Sequence, residues 1–133
     1  MKQFKQFKLP IIPDDRFTFV GHLAVPEEVG FDVVRVYALT EGKKPTGAHC
    51  HKVEQECFIC FSGGCVAEID DGSGLRDVPL RVGDAIYVPA YVWHHFKSWE
   101  PNTVVVALSS TAYDPTRADY VVDYEEFQKL AKH

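Results

Sequence analysis

The sequence predicts an all-β protein, a barrel or sandwich of short strands. The first observation is about nine to eleven segments of strand-like pattern, each closed by Gly, Pro, Asn, Asp or Ser. A second is that helical spacing occurs only at the C-terminal end, where Phe127 and Leu130 follow Asp123. The third is His49-Cys50-His51. Strand side chains alternate between faces, so the two histidines point the same way from one strand.

Phe4 to Leu9 alternates apolar and polar residues and reads as an edge strand, ended by a break from Pro10 to Pro13. Arg16 to Val20 is a second candidate strand, and Pro26, Glu27, Glu28 and Gly30 make a loop. Phe31 to Thr40 reads as a strong strand with Arg35, Tyr37 and Leu39 on one face. Gly42 to Gly47 is a turn region. His49 to Val53 and Glu56 to Phe61 follow as two strands or one irregular strand, and Ser62-Gly63-Gly64 turns the chain. Cys65 to Ile69 and Arg76 to Leu80 form a hairpin through Asp70-Asp71-Gly72-Ser73-Gly74. Beyond the turn at Arg81 to Asp84, Ala85 to Val88, Trp93 to Trp99 and Thr103 to Ser109 are further strands, the last two separated by Pro101-Asn102. Asp123 caps a short helix over Tyr124 to Lys132.

A chain of 133 residues has room for one domain, 1–133, with a real core. Hydrophobic residues make up 46% and charged residues 25%, as in globular proteins that live in water. A formal net charge of -5 disfavours nucleic-acid binding, so an anionic ligand must be drawn by a local basic site. No apolar run approaches a membrane span, and the Lys- and Phe-rich start lacks a signal-peptide core, which reads as a cytoplasmic protein. Cys57 and Cys60 have CxxC spacing, but positions three apart on a strand face opposite sides. Together with Cys50 and Cys65 they read as reduced, mostly buried thiols.

Strand pattern alone leaves a jelly roll and an immunoglobulin-like sandwich open. His49, His51, Glu56 and Gly63, followed by Gly83, Pro89 and His94, resemble the two-part motif of the cupins, with Tyr91 where that motif has glycine. This resemblance implies a cupin jelly-roll β-barrel with a short C-terminal helix. A closer resemblance covers Arg16 to Phe127. Arg35-Val36-Tyr37, Gly47-x-His49-x-His51-Lys52, Tyr87-Val88-Pro89, Trp93-His94, and the run Tyr113-Asp114, Asp119-Tyr120, Asp123-Tyr124-x-x-Phe127 are similar to the nucleotide-sugar 3,4-ketoisomerases. Those enzymes act on dTDP-4-keto-6-deoxyglucose.

That family implies an isomerase of deoxysugar biosynthesis that moves a keto group from C4 to C3, upstream of a sugar aminotransferase. It also implies a homodimer with exchanged N-terminal strands, a dTDP-linked keto sugar as ligand, and no cofactor. The paired His residues and the Tyr of RVY belong to the active site in that family. The sequence departs from it at Thr46, where Arg is usual, at Arg16-Phe17-Thr18-Phe19, where an R-G-x-L segment is usual, and at Glu56, where Gln is usual.

Ketone migration through an enediol needs a base for the C3 proton and acids for the oxygens. A histidine suits the first task, since its unperturbed pKa of ~6.5 lies near neutrality. His49 is the candidate base, with His51 and Tyr37 as acid partners. Arg16, Arg35, Arg81 and Lys97 are candidate partners for the pyrophosphate. Tyr87, Tyr91 and Trp93 offer stacking surfaces, or else serve as core and wall, and His94 joins the substrate-binding set or satisfies the barrel interior. His95 should face away from the site, and His22 and His133 read as solvated. Arg35 also reads as a strand-end ion pair.

Two alternatives remain at this point. One is a metal-dependent cupin enzyme, a dioxygenase or isomerase, with His49, His51, Glu56 and His94 around a first-row ion. The other is a non-catalytic sugar-binding cupin in which Thr46 marks lost activity.

Overall fold

The computed structural model describes residues 2–132, so His133 lies outside the described residues. A five-stranded antiparallel sheet has the order β1-β9-β6-β11-β4, with β1 at Lys5–Lys8, β4 at Arg35–Thr40, β6 at Glu56–Ser62, β9 at Asp84–Val88 and β11 at Val104–Ser109. A three-stranded sheet has the order β10-β7-β8, from Trp93–Lys97, Gly64–Asp70 and Arg76–Arg81. Two small pairs complete it: β2 (Ile11–Pro13) with β3 (Thr18–Val20), and β5 (Cys50–His51) with β12 (Tyr120–Val121). Helix α1 is Tyr124–Ala131, and the fold is the all-β cupin jelly roll with a short C-terminal helix that the sequence predicts.

The main core lies between the two larger sheets. Phe58, Ile86, Val88, Phe96 and Val105 fill it, each buried. Removing one such side chain from water is worth roughly 1.5–3 kcal/mol. β6 is buried on both faces from Glu56 to Cys60, because a second cluster of Leu9, Val25, Val29, Phe31 and Tyr87 covers the outside of its sheet. Cys57 packs in this outer cluster and Cys60 in the inner one, as strand parity requires. All the cysteines are free and buried, and burial pushes the Cys57 thiol up to about 12.

Three local expectations change. The Pro10 to Pro13 break contains strand β2, because Ile11–Pro13 pairs with Thr18–Val20 across an Asp14 turn. Pro26 to Gly30 is a π-helical turn over Val25–Val29 rather than an open loop, closed by Gly30 at φ 104. The strand expected from Phe31 begins only at Arg35, since the residues before it lack a partner strand.

The edge strand at Lys5–Lys8 pairs with β9 in register Phe7↔Ala85, and Leu9 is buried by the same chain. The apolar side chains left exposed at this end are Ile11, Ile12 and Phe17 of the β2–β3 hairpin. At the other end Asp123 accepts from the backbone N–H groups of Glu125 and Glu126, a cap worth about 1 kcal/mol. Phe127 of α1 is buried against Trp93, Cys50 and Val121. Among the described residues no helix is long and apolar enough to cross a membrane.

Candidate active site

The histidine pair sits where β5 meets two other segments. His49 bridges His94 in antiparallel fashion, with N–H donors in both directions at 2.9 and 3.3 Å. That backbone pairing sets the two rings 4.6 Å apart. On the other side, β12 pairs Tyr120 with His51 and Val121 with Cys50. His49 and His51 thus share one face, as predicted, and point with His94 into the barrel.

His49 Nδ1 lies 3.0 Å from the Gly47 carbonyl. A carbonyl only accepts, so this contact assigns the proton to Nδ1 and leaves Nε2 unprotonated, able to accept. Nε2 is 3.1 Å from His51 Nε2. Burial and the neighbouring His94 ring pull the His49 pKa down to about 3, so the ring is neutral at pH 7.

His51 has a different environment. Its Nε2 lies 3.2 Å from Glu56 Oε1, and its Nδ1 lies 3.3 Å from Asp119 Oδ2 and 3.7 Å from Glu54 Oε1. The Nδ1 contacts are close but not aligned as hydrogen bonds. Burial works against charge on this ring, yet the carboxylates of Glu56, Glu54 and Asp119 outweigh it and hold the pKa above the usual histidine value.

Glu56 is 2% exposed. Burial alone would raise its pKa, but the His51 ring at 3.2 Å, the His94 ring at 3.7 Å and the hydrogen bond from the Tyr37 hydroxyl hold the carboxyl below the usual range. Tyr37 donates its hydroxyl proton to Glu56 Oε2. Burial and the Glu56 charge push the Tyr37 pKa far above the usual phenol value, so this group stays protonated.

The chemistry faces a cavity of about 220 Å³ lined by Tyr37, His49, Glu56, His94 and Tyr120. His51 lies behind this lining at 3% exposure. A second cavity of about 420 Å³ is lined by Arg35, Lys52, Tyr113, Arg117 and Tyr120. Arg35 and Tyr120 belong to both walls, so the two spaces adjoin. Each is in or near the size range of small-ligand sites, roughly 300–1,000 Å³.

The remaining candidates divide. Arg35 donates to Glu54 at 2.8 Å and to the Thr111 carbonyl at 3.2 Å, so it is both a strand-end ion pair and a cavity wall. Arg16 pairs with Asp14 on the β2–β3 turn, Arg81 with Glu100, and Lys97 with Glu68 and Asp77, and none lines either cavity. Tyr87 is core, stacked on Phe31 and donating to Gln55 at 2.5 Å. Trp93 is also core, packed on Tyr124 and Phe127 and lining neither cavity. Tyr91 caps the turn before β10 at φ 63, outside both cavities. His95 pairs with Glu68 at 2.8 Å but also lines the smaller cavity, contrary to the expectation that it faces away from the site, because its ring borders that space from β10; His22 is exposed.

Glu54, Lys52, Arg117, Asp119 and Tyr120 are site residues that residue-by-residue reading did not assign. Asp119 and Tyr120 lie in the C-terminal pattern, which was their only signal.

The family model FdtA, described as WxcM-like, C-terminal, matches residues 2–132. The TDP-4-oxo-6-deoxy-alpha-D-glucose-3,4-oxoisomerase of Aneurinibacillus thermoaerophilus is 34% identical over 117 residues, 82% of this chain and 81% of that protein. The structure of WlaRB, a TDP-quinovose 3,4-ketoisomerase from Campylobacter jejuni, superposes with TM-score 0.83 at 29% identity, covering 97% of this chain and 99% of that one. A variant of the 3,4-ketoisomerase QdtA from Thermoanaerobacterium thermosaccharolyticum, solved with TDP, gives TM-score 0.85 at 25% identity, covering 99% and 96%. With a family model spanning nearly every residue and a relative above 30% identity over most of both chains, this chain belongs to the FdtA (WxcM-like, C-terminal) family.

Proposed function

We propose that this protein, acting as a single domain 1–133, is an isomerase that moves the keto group of a dTDP-4-keto-6-deoxyhexose from C4 to C3. One observation carries the reading. A neutral histidine with an unprotonated Nε2 opens on a cavity beside a protonated tyrosine, and a histidine whose pKa neighbouring carboxylates raise backs both. The related oxoisomerase and the TDP complex of a relative support the choice of substrate.

His49 Nε2 takes the C3 proton. His51 Nε2 gives a proton to the Glu56 carboxylate, and the carboxyl group, turned so that this proton faces Tyr37, gives it to the Tyr37 oxygen as Tyr37 passes its own hydroxyl proton to O4. The enediol then exists with His49 cationic and His51 neutral, so net charge is conserved. In the second half His49 returns its proton to C4, and the O3 proton travels back through Tyr37 and Glu56 to His51. Burial and the carboxylate next to Tyr37 oppose a lasting phenolate, which is why the hydroxyl passes a proton on rather than losing it. The oxygens need the acid because charge develops there as the C3 proton leaves.

The nucleotide end is assigned to the larger cavity. Lys52 and Arg117 supply charge for the pyrophosphate there, with Arg35 at the junction. Thr46 lines the smaller cavity, and its hydroxyl accepts from Phe96 N–H, so it serves the wall rather than the ligand.

A second reading rests on the ring nitrogens of His49, His51 and His94, which lie within 4.8 Å of one another. The three rings fit a first-row divalent ion, with Glu56 beside His51 and His94 but outside that cluster, and such an ion would polarise a bound carbonyl as a Lewis acid. Both readings meet in one assay: dTDP-4-keto-6-deoxyglucose followed by NMR with and without EDTA. Expected is a C3 ketone formed at equal rates in both. Turnover lost in EDTA and restored by one added metal selects the metal enzyme. Binding of dTDP without any isomerisation selects the sugar-binding cupin.

A homodimer accompanies the proposal, with the exposed Ile11, Ile12 and Phe17 as the apolar surface to be covered. Light scattering at micromolar concentration should give twice the chain mass of 15.0 kDa, and a monomer there removes this part. The setting is cytoplasmic, upstream of an aminotransferase that consumes the 3-keto sugar.

A further inference from the structure

The C-terminal segment contributes two neighbouring side chains to the histidine pair that the proposed proton path does not use. Tyr120 stacks on the His49 ring at 4.5 Å between centroids and 21° between planes. It meets the His51 ring edge-on at 4.5 Å and 79°. Asp119 reaches the same pair from its far side. Its Oδ2 stands 3.3 Å from His51 Nδ1. Its Oδ1 accepts from the backbone N–H of Lys52 at 2.9 Å and of Val53 at 2.7 Å, and its Oδ2 from Glu54 N–H at 3.0 Å. One carboxylate thus ties down the chain just after β5.

β5 needs such support. It is only two residues long, Cys50–His51, and no long ladder sets its position. Its partner is the equally short β12, held in turn by Val121 and Phe127 in the third core cluster. The His49 ring is flanked by His94, His51 and Tyr120, of which only Tyr120 offers a parallel face.

From this we infer that Asp119 and Tyr120 are the positioning pair of the two histidines: Tyr120 fixes the plane of His49, and Asp119 fixes the ring of His51 and the turn behind it. The inference rests on the isomerase reading for its kinetic consequence, but its geometric content does not depend on substrate. Neither residue need touch the reacting carbons. The physical lever is placement, since displacing a catalytic group by about 1 Å costs on the order of 10²-fold in rate. A group behind a catalytic imidazole typically contributes about 10- to 100-fold.

The test uses the full chain with Tyr120→Phe, Tyr120→Leu, Asp119→Asn and Asp119→Ala. Two readouts are taken: kcat and KM with dTDP-4-keto-6-deoxyglucose, and the imidazole resonances of His49 and His51 in the ligand-free protein. Tyr120→Phe keeps the ring and should keep the upfield ring-current shift of the His49 protons, with kcat lowered far less than in Tyr120→Leu. Tyr120→Leu should lose that shift and lower kcat about 10²-fold, with a much smaller change in KM. Asp119→Asn retains an oxygen for Lys52 and Val53 N–H but loses the anion and sets an NH2 group against Glu54 N–H. It should lower stability somewhat, shift the His51 Nδ1 resonance, and lower kcat about 10- to 100-fold in protein shown to be folded by its thermal transition. Asp119→Ala loses both contacts and should do worse. If Tyr120→Leu unfolds, Tyr120→Met takes its place, filling similar volume without a π-face.

Wild-type resonances and kcat in Tyr120→Leu or Tyr120→Met overturn the role of Tyr120, as does a Tyr120→Phe variant damaged as severely as Tyr120→Leu. Wild-type kcat and His51 resonances in Asp119→Asn overturn the role of Asp119. A wild-type protein inactive on the sugar defeats the isomerase reading instead, and the imidazole spectra still decide the positioning.

Discussion

Replacing His49 by asparagine should reduce turnover by about 10²–10⁴-fold, the usual contribution of a positioned base, while leaving dTDP binding nearly unchanged. Asparagine keeps polarity and a side-chain donor for the Gly47 carbonyl, now 3.0 Å from His49 Nδ1, so the local fold has no reason to fail. It cannot take a proton near neutral pH. The proposed nucleotide end is the larger cavity, which His49 does not line, so calorimetry should register similar affinity. Deuterium from D2O should enter the sugar carbons with the wild type and not with the variant. The pH profile adds a sign. Burial and the His94 ring pull His49 down to about 3, so its basic form persists through the usual histidine range and is lost only toward that value. The acid limb of kcat/KM therefore falls far below pH 6.5. Full activity and unchanged exchange in His49→Asn would transfer the base role to His51 or Tyr37.

Much of this site was legible because it depends on parity. Two histidines one residue apart must share a strand face, and the face of β4 that carries Arg35, Tyr37 and Leu39 is the half-buried one. The CxxC at Cys57 and Cys60 was separable from a metal or redox site by the same argument, and its thiols pack in different clusters. Turn chemistry set the hairpin between β7 and β8, where Asp70 accepts from Gly72 and Gly74 N–H groups. What stayed hidden depends on long-range pairing. β12 has two residues and no pattern of its own, so nothing local says that Tyr120 lies beside His51. Glu54 and Asp119 look like ordinary surface acids until the fold closes them around the His51 ring.

The basic residues show the same limit. A guanidinium or ammonium in a sequence has no address. Arg16, Arg81 and Lys97 each find a carboxylate close to home, and only Arg35 reaches the cavities. Lys52 and Arg117 reach the larger cavity because β5 and the turn before β12 carry them there. The N-terminal alternation was read correctly as an edge strand, yet its apolar side chains are covered within the chain by β9, so the case for a second copy moves to the β2–β3 hairpin.

The largest stability effect should come from Glu56. Its carboxylate is 2% exposed and collects the Tyr37 hydroxyl, His51 Nε2 at 3.2 Å and His94 Nε2 at 3.7 Å. Glu56→Leu removes the anion and leaves a charged His51 buried against one fewer partner, a loss of about 3–5 kcal/mol by analogy with broken buried pairs. Glu56→Gln is not a mild substitute. Tyr37 and His51 both present donors, and an amide has one accepting oxygen and one donating NH2, so one donor is left facing another. Turnover should fall most with Glu56→Leu; Glu56→Gln installs the residue usual in the ketoisomerases that the sequence resembles, so the activity it keeps measures how far this chain's proton path depends on the carboxylate. The pH dependence separates charge from packing. Glu56 has a folded pKa below its unfolded value of about 4.5, so its stabilisation is present above that value and lost as pH falls through the folded one. His51 has a raised pKa, so its part is present below about 6.5 and lost as pH rises through the folded value. His49, held neutral, disfavours the folded state progressively between about 6.5 and about 3. Urea midpoints across pH 3–9 should therefore show the wild type most stable near pH 6.5, declining toward acid and, as His51 loses its proton, toward the alkaline end. In Glu56→Gln the midpoint should be lower at pH 7, and the gap from wild type should narrow below about pH 4.5, where the Glu56 carboxyl of the unfolded wild-type chain takes up a proton. A Glu56→Gln protein with the wild-type midpoint at pH 7 would mean that this carboxylate carries no net charge worth keeping, and that Tyr37 and His51 are held by packing alone.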